Sequence, residues 1–167
     1  MRRSTYFRLT VIGLIGLSGL LAGPSAAQSA KELAGTWTLL SSDTVAPDGR
    51  RTPTLGTHPT GTLMFTDDGH FLWLLLSTDL PKFASNNRAT GTPEENAAVV
   101  KGSIAVYGTY AISDKDLLFS IEQSTFPNWR GSRQKRTIKV LTLGELKWTN
   151  PTGSTGGVAE LAFRRAP

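Results

Sequence analysis

The sequence predicts an all-β fold, an eight-stranded antiparallel up-and-down barrel with one short helix inserted near residues 92–101. Three observations carry that expectation. After Gly35, short stretches rich in apolar and β-branched residues recur, several alternating with polar residues at a period of two. Turn sequences built from Gly, Asp and Ser separate them at hairpin length. One segment alone, Pro81 to Gly102, breaks the pattern and carries helix start and stop signals.

In chain order the strands are expected at Thr36–Val45, Thr62–Thr66, His70–Ser77, Ser103–Ile112, Leu117–Thr125, Gln134–Thr142, Leu146–Asn150 and Val158–Arg164. Asp67-Asp68-Gly69, Ser113 to Asp116 and Leu143-Gly144-Glu145 are tight-turn chemistry, so consecutive strands pair as hairpins and form a meander. Eight such strands close without exposed edges and leave an interior wide enough for one small ligand. The helix is framed by Thr92 as N-cap, Pro93 at the first helical position, Glu95 three residues after the cap, and Gly102 at the end. Its apolar stripe, Ala97, Val99 and Val100, is small. The helix is therefore expected to cover the barrel's mouth or side rather than to fill the core.

Residues 1–27 read as a secretory signal: Arg2, Arg3 and Arg8 make a basic start, Leu9 to Ala22 is apolar, and Ser25-Ala26-Ala27 offers small residues for cleavage. The apolar run is 14 residues long, short of the roughly 18 that span a bilayer. No stable membrane anchor is expected, and Arg2-Arg3 leaves the export route open. The mature domain is expected to be 28–167, periplasmic or secreted, with its oligomeric state unassigned. The chain contains no Cys, so disulfides play no part. Its net charge of +5 falls to +2 without the leader's three arginines, which removes the case for a nucleic-acid partner. Arg130, Arg133, Lys135, Arg136 and Lys139 do cluster, either as a solvated strand face or as a patch for an anionic partner.

Phe126-Pro127-Asn128-Trp129-Arg130-Gly131 joins two strands with residues too bulky for an ordinary turn. It reads as a structured rim, because binding groups concentrate on loops held by a rigid scaffold. In the following strand Lys135, Thr137 and Lys139 must be wet, which sends Arg136 inward with Ile138 and Val140. An inward arginine needs a partner. If the hairpin centres on Trp129, Glu122 stands opposite Arg136, and Ser120 and Ser124 point inward. A slip of one residue turns Leu117, Phe119 and Ile121 inward and Glu122 to solvent. Apolar patterning favours the second register.

The pattern Glu122-x-Ser124-x-Phe126-Pro127-Asn128-Trp129-x-Gly131-x-x-Gln134-x-Arg136 resembles the bacterial and fungal lipocalin-like domain family. Leu33 to Trp37, Pro59 to Gly69, and Thr92 to Glu95 ahead of Tyr107 to Tyr110 fit the same family, so the resemblance spans nearly the whole chain after the leader. It implies a small closed barrel holding an apolar or amphipathic molecule, without naming one. It also implies, through the spacing of Glu122 and Arg136, that the charged pair lies inside. On that basis the expected ligand-binding residues are Glu122, Arg136, Ser120, Ser124, Gln134, Trp129, Phe126 and Tyr110. Trp37 near the start of the first strand, with Arg164 ending the last, resembles the closure of lipocalin barrels, where a late Arg stacks on the Trp. Such a stack contributes about 0.5 to 2 kcal/mol.

Reactive arrangements are nearly absent. His58 and His70, the two imidazoles, are scattered, and without Cys they give no basis for a zinc site of the usual ligand sets. No Ser sits in Gly-x-Ser-x-Gly, and no Ser-His-Asp triad can be argued. No cofactor is expected. The leading expectation is an exported protein that binds a small apolar or amphipathic molecule. One alternative is an isomerase or cyclase acting on a polyketide- or terpenoid-like substrate, with Glu122 and Arg136 polarising a carbonyl. Another is an envelope interaction protein using the basic strand face.

Overall fold

The computed structural model describes residues 26–167. Residues 1–25, most of the segment expected to be a leader, therefore lie outside the described residues. The element order is α1 (Ala26–Leu33), β1 (Gly35–Val45), β2 (Arg51–Pro53), β3 (Thr60–Phe65), β4 (His70–Leu76), α2 (Pro93–Gly102), β5 (Ser103–Ser113), β6 (Asp116–Ser124), a single 3-10 turn (Pro127–Trp129), β7 (Arg133–Leu141), β8 (Glu145–Asn150) and β9 (Val158–Arg165). Every neighbouring pair of strands is antiparallel. Each hairpin follows the last, and β1 pairs with both β3 and β9, so eight strands close into a barrel with no free edge. β2 is the extra strand. It is three residues long, fully exposed, and pairs only with Asp43–Val45 at the end of β1. Its composition, Arg-Thr-Pro, gives no strand signal.

Period-two patterning sets the inside. On β3 and β4, Leu63, Phe65, Phe71, Trp73 and Leu75 are buried, while Met64, Leu72 and Leu74 between them are exposed. The β3–β4 turn closes as predicted, with Gly69 at φ +88°, the left-handed position that favours glycine, and Thr66 N–H bonded to the His70 carbonyl at 2.9 Å. Burying each large apolar side chain stabilises by about 1.5–3 kcal/mol, so this alternation pins the register.

One end of the barrel is packed solid. Trp37 is wholly buried and its indole N–H donates to the Leu33 carbonyl at 2.8 Å, which ties α1 to β1. The stacking cation is Arg165 rather than Arg164: its guanidinium carbon sits 4.3 Å from the centre of the Trp37 ring. The correction follows from strand parity. Leu161 and Phe163 face inward, so Arg165 follows them and Arg164 is exposed. Arg165 also donates to the carbonyls of Ala34 (2.8 Å), Leu143 (2.6 Å) and Glu32. One side chain thereby fastens the α1–β1 corner to the β7–β8 turn.

Three strands each carry one extra residue relative to a neighbour: Leu40 on β1 against β9, Glu122 on β6 against β5, and Lys139 on β7 against β8. Such bulges reverse which residues face inward beyond them. On β1 the interior series runs Trp37, Leu39, then Ser42. The interior thus changes from apolar to polar along the strand.

Candidate functional site

Beyond those bulges the barrel opens into a cavity of about 420 Å³. Its wall is aromatic and aliphatic, with Trp73, Trp148, Leu75, Ile104 and Leu161, and its polar lining includes Ser42, Thr54, Asn150 and Arg136. Phe126 and Trp129 from the β6–β7 connection form part of the wall, their rings edge to face at 5.8 Å. Val99, Val100 and Lys101 of α2 and Gly153–Thr155 of the β8–β9 loop also border it. Val100, Lys101, Ser154 and Thr155 are exposed, so the cavity reaches solvent between these two segments. The capping box of α2 is formed, with Glu95 accepting from Thr92 N–H and Thr92 Oγ1 accepting from Glu95 N–H. Glu95 also accepts from Ala84 N–H at 2.8 Å. The Ala84 bond, then the Thr92 bond, hold its carboxyl below the ordinary value and fix the preceding loop to the helix.

Arg136 is the central group. It is 97% buried in the sense that only 3% of its surface remains exposed. Its guanidinium lies 5.8 Å from the Trp129 ring centre and 5.9 Å from those of Trp73 and Phe119. Nη1 donates to the Lys135 carbonyl at 2.9 Å and Nη2 to Gln134 Oε1 at 2.6 Å. Gln134 Nε2 in turn donates to Ser132 Oγ, and Ser132 Oγ–H to the Trp129 carbonyl. This relay explains why Trp129, Gln134 and Arg136 belong to one pattern: the loop positions the amide that positions the cation. Among the described residues no carboxylate lies within ion-pair distance of Arg136.

Glu122 is not its partner. The β6–β7 register places Leu117 opposite Arg136 and Phe119 opposite Gln134, so the hairpin centres between Phe126 and Pro127, not on Trp129. The loop is tightened by the 3-10 turn and by Gly131 at φ +71°. Leu117, Phe119 and Ile121 are buried, whereas Ser120 and Glu122 are exposed. Burial of three large apolar side chains outweighs any gain from a pair that would first have to desolvate a carboxylate. Glu122 is itself the bulged residue, and Gly108 of β5 permits the bulge: a Cβ there would collide with the Ser120 carbonyl oxygen and lie 2.9 Å from Glu122 N. Past the bulge, Ser124 is half-buried and accepts from Phe126 N–H at 3.0 Å, fixing the loop's first residue. Glu122→Gln is therefore expected to change unfolding free energy by no more than about 0.5 kcal/mol. Chemical denaturation measures this, and a loss above 2 kcal/mol would contradict the exposed placement.

Tyr110 also lies elsewhere. Its ring meets Phe65 edge to face at 4.8 Å near the packed end, and its hydroxyl donates to the Thr66 carbonyl at 3.0 Å. Burial, then Asp67 and Asp68, push its phenol pKa up. Of the expected set, the structure thus brings together Arg136, Gln134, Trp129, Phe126 and, through the loop, Ser124; it leaves out Glu122, Ser120 and Tyr110.

Burial lowers the Arg136 pKa to about 10. The group remains protonated at neutral pH, and the unfolded arginine holds its proton more tightly than the folded one. Its burial as a cation therefore costs about 3 kcal/mol at any pH well below 10, a cost relieved only as pH rises through that value. Two further donors in the same cluster lack acceptors, the indole N–H groups of Trp73 and Trp148. The Asn150 amide is spent locally, donating to the Thr152 carbonyl and accepting from Thr152 N–H. On the outer face of β7, Lys135 pairs with Asp116 at 3.1 Å. With Arg136 turned inward, the basic cluster is smaller than the sequence implies. Both histidines are exposed, His70 being 3.1 Å from Asp68, and no group of three or more metal-ligating side chains occurs among the described residues.

A closed eight-stranded meander, packed at one end and hollow at the other, defines a lipocalin-type barrel. The lipocalin-like domain family matches residues 34–166, and the chain belongs to that family. Among solved structures the chain is similar to a redesigned β-barrel, at 13% identity, with 83% of this chain and 96% of that chain covered and a TM-score of 0.44. It is similar to EF1p2_mFAP2b bound to DFHBI at 16% identity, with 85% and 100% covered and a TM-score of 0.41. A point mutant of the fluorescent protein UnaG is 17% identical, with 82% and 98% covered and a TM-score of 0.39. No curated protein matches the sequence.

Proposed function

We propose that the protein binds one small apolar or amphipathic molecule in the barrel interior. The observation that carries this is the cavity of about 420 Å³, walled by Trp73, Trp129, Trp148 and aliphatic side chains, at one end of a barrel whose other end is solid. That volume falls within the range of about 300–1,000 Å³ typical of ligand pockets. A broad panel of long-chain and polycyclic compounds is expected to shift tryptophan emission saturably, because three of the four tryptophans line the cavity. Trp129→Ala should weaken the shift while the fold survives, since that residue is half-buried at the rim. If no compound saturates, the binding reading gives way to a role for the outer surface.

The leader adds a location. Export to the periplasm or beyond, with removal of residues 1–27, is supported by the basic start, the apolar run and the small residues at 25–27. Cleavage there leaves Gln28–Leu33 of α1, including the Leu33 carbonyl that holds Trp37. Exported protein is expected to begin at Gln28, and N-terminal sequencing that returns Met1 would refute processing.

A further inference from the structure

We propose that the ligand is an organic monoanion, an apolar body bearing one carboxylate, and that this carboxylate is the counterion of Arg136. The inference rests on the reading of the cavity as a ligand site and adds the chemistry of the ligand's polar end.

A buried guanidinium with no carboxylate is costly, and the surroundings here compensate only in part. Three aromatic faces and two neutral acceptors, the Lys135 carbonyl and Gln134 Oε1, attend Arg136, but none carries a negative charge. Those two bonds use two of the five N–H groups of an arginine. An apolar residue would fill an aromatic cage at less cost, so nothing about packing calls for a cation at this position. The relay through Gln134 and Ser132 holds the guanidinium against the cavity wall rather than letting it reach water.

The hydrogen-bond inventory points the same way. The polar end of the cavity has donors in excess, because Arg136 borders it and retains N–H groups beyond the two that bond Lys135 and Gln134. Asn150 has turned its amide to Thr152. A carboxylate only accepts, and offers about four lone-pair sites, which is the complement of this surplus. One buried cation matches one negative charge. A cavity of about 420 Å³ lies toward the smaller end of the range of about 300–1,000 Å³ for ligand pockets. That suits a medium-chain or a compact polycyclic acid.

The test compares acids with their own esters. Dodecanoate and anthracene-9-carboxylate, each beside its methyl ester, are titrated into the wild-type domain by tryptophan emission and calorimetry. The expected result is at least tenfold tighter binding of an acid than of its ester, and a rise in melting temperature with the acid. Arg136→Met is expected to erase the preference by weakening the acid far more than the ester, and Arg136→Lys to restore part of it. Equal affinity of acid and ester in the wild type would overturn the anion inference while leaving the cavity as a site for neutral ligands. This comparison needs no variant, so it decides even if Arg136→Met fails to fold. If neither acids nor esters bind up to their solubility limits, the cavity reading falls and the anion inference with it.

Discussion

Trp37→Ala is expected to lower the free energy of unfolding by about 3–5 kcal/mol, the range for deleting a fully buried aromatic side chain. The position joins four things at once. Its indole is wholly buried, bonds the Leu33 carbonyl, and lies under the Arg165 guanidinium, which itself holds the carbonyls of Ala34, Glu32 and Leu143. Removing the ring leaves a void at the packed end and takes away the face on which Arg165 rests. The same corner depends on Gly35, whose φ of +123° is a backbone conformation that favours glycine. Urea unfolding monitored by circular dichroism measures the effect. A loss below 1 kcal/mol would mean that this end does not act as a unit.

The second large effect is expected at Gly108. A methyl group there meets backbone on the neighbouring strand, the Ser120 carbonyl oxygen and Glu122 N, and backbone cannot turn aside as a flexible side chain would. Gly108→Ala is expected to cost about 3 kcal/mol, the upper part of the range for overpacking. It should also weaken ligand binding, since the bulge at Glu122 sets the course of the chain through Ser124, which holds Phe126 N–H, to Phe126 in the cavity wall. Gly144→Ala is the matched control: no atom lies within 4 Å of its built Cβ and its φ is not left-handed, so a change within about 0.5 kcal/mol is expected. Similar losses at the two sites would remove the argument for a required close approach.

Alternation and turn chemistry made most of this barrel legible from the sequence. The eight expected strands all occur, and Thr92, Pro93 and Glu95 begin a helix where their spacing predicts one. β2 was invisible because it is short and polar and exists only as an annex to the overhanging end of β1. Ser124 illustrates a deeper limit: with Leu117, Phe119 and Ile121 inward, parity would send it out, yet beyond the bulge at Glu122 it is half-buried. A period-two reading assumes an unbroken strand, and a single inserted residue reverses the face of everything after it. The signal was present but lay on the other strand, in Gly108, a residue with no side chain amid Tyr107, Thr109 and Tyr110. The competing series Leu117, Phe119, Ile121 already favoured the facing that forms, although the pairing is shifted further than one residue, with Leu117 opposite Arg136. Arg165 was within reach as well, had Leu161 and Phe163 been used to carry parity to the end of β9. The inward turn of Arg136 was legible because its flanking residues had to be wet; that it would lack a carboxylate was not, because the absence depends on where β6 goes.

The three inserted residues, Leu40, Glu122 and Lys139, interrupt the strand pattern between the tryptophan-sealed end and the hollow. A ladder whose facing reverses partway uncouples the demands on its two halves. Below the reversal each inward residue answers to its neighbours' volume; above it, Ser42, Thr54 and Asn150 border open space and answer to whatever enters. Drift in the upper residues can thus reshape the hollow while the lower half goes on closing the same sheet, and a recipient scaffold for grafted pockets would be cut along that line.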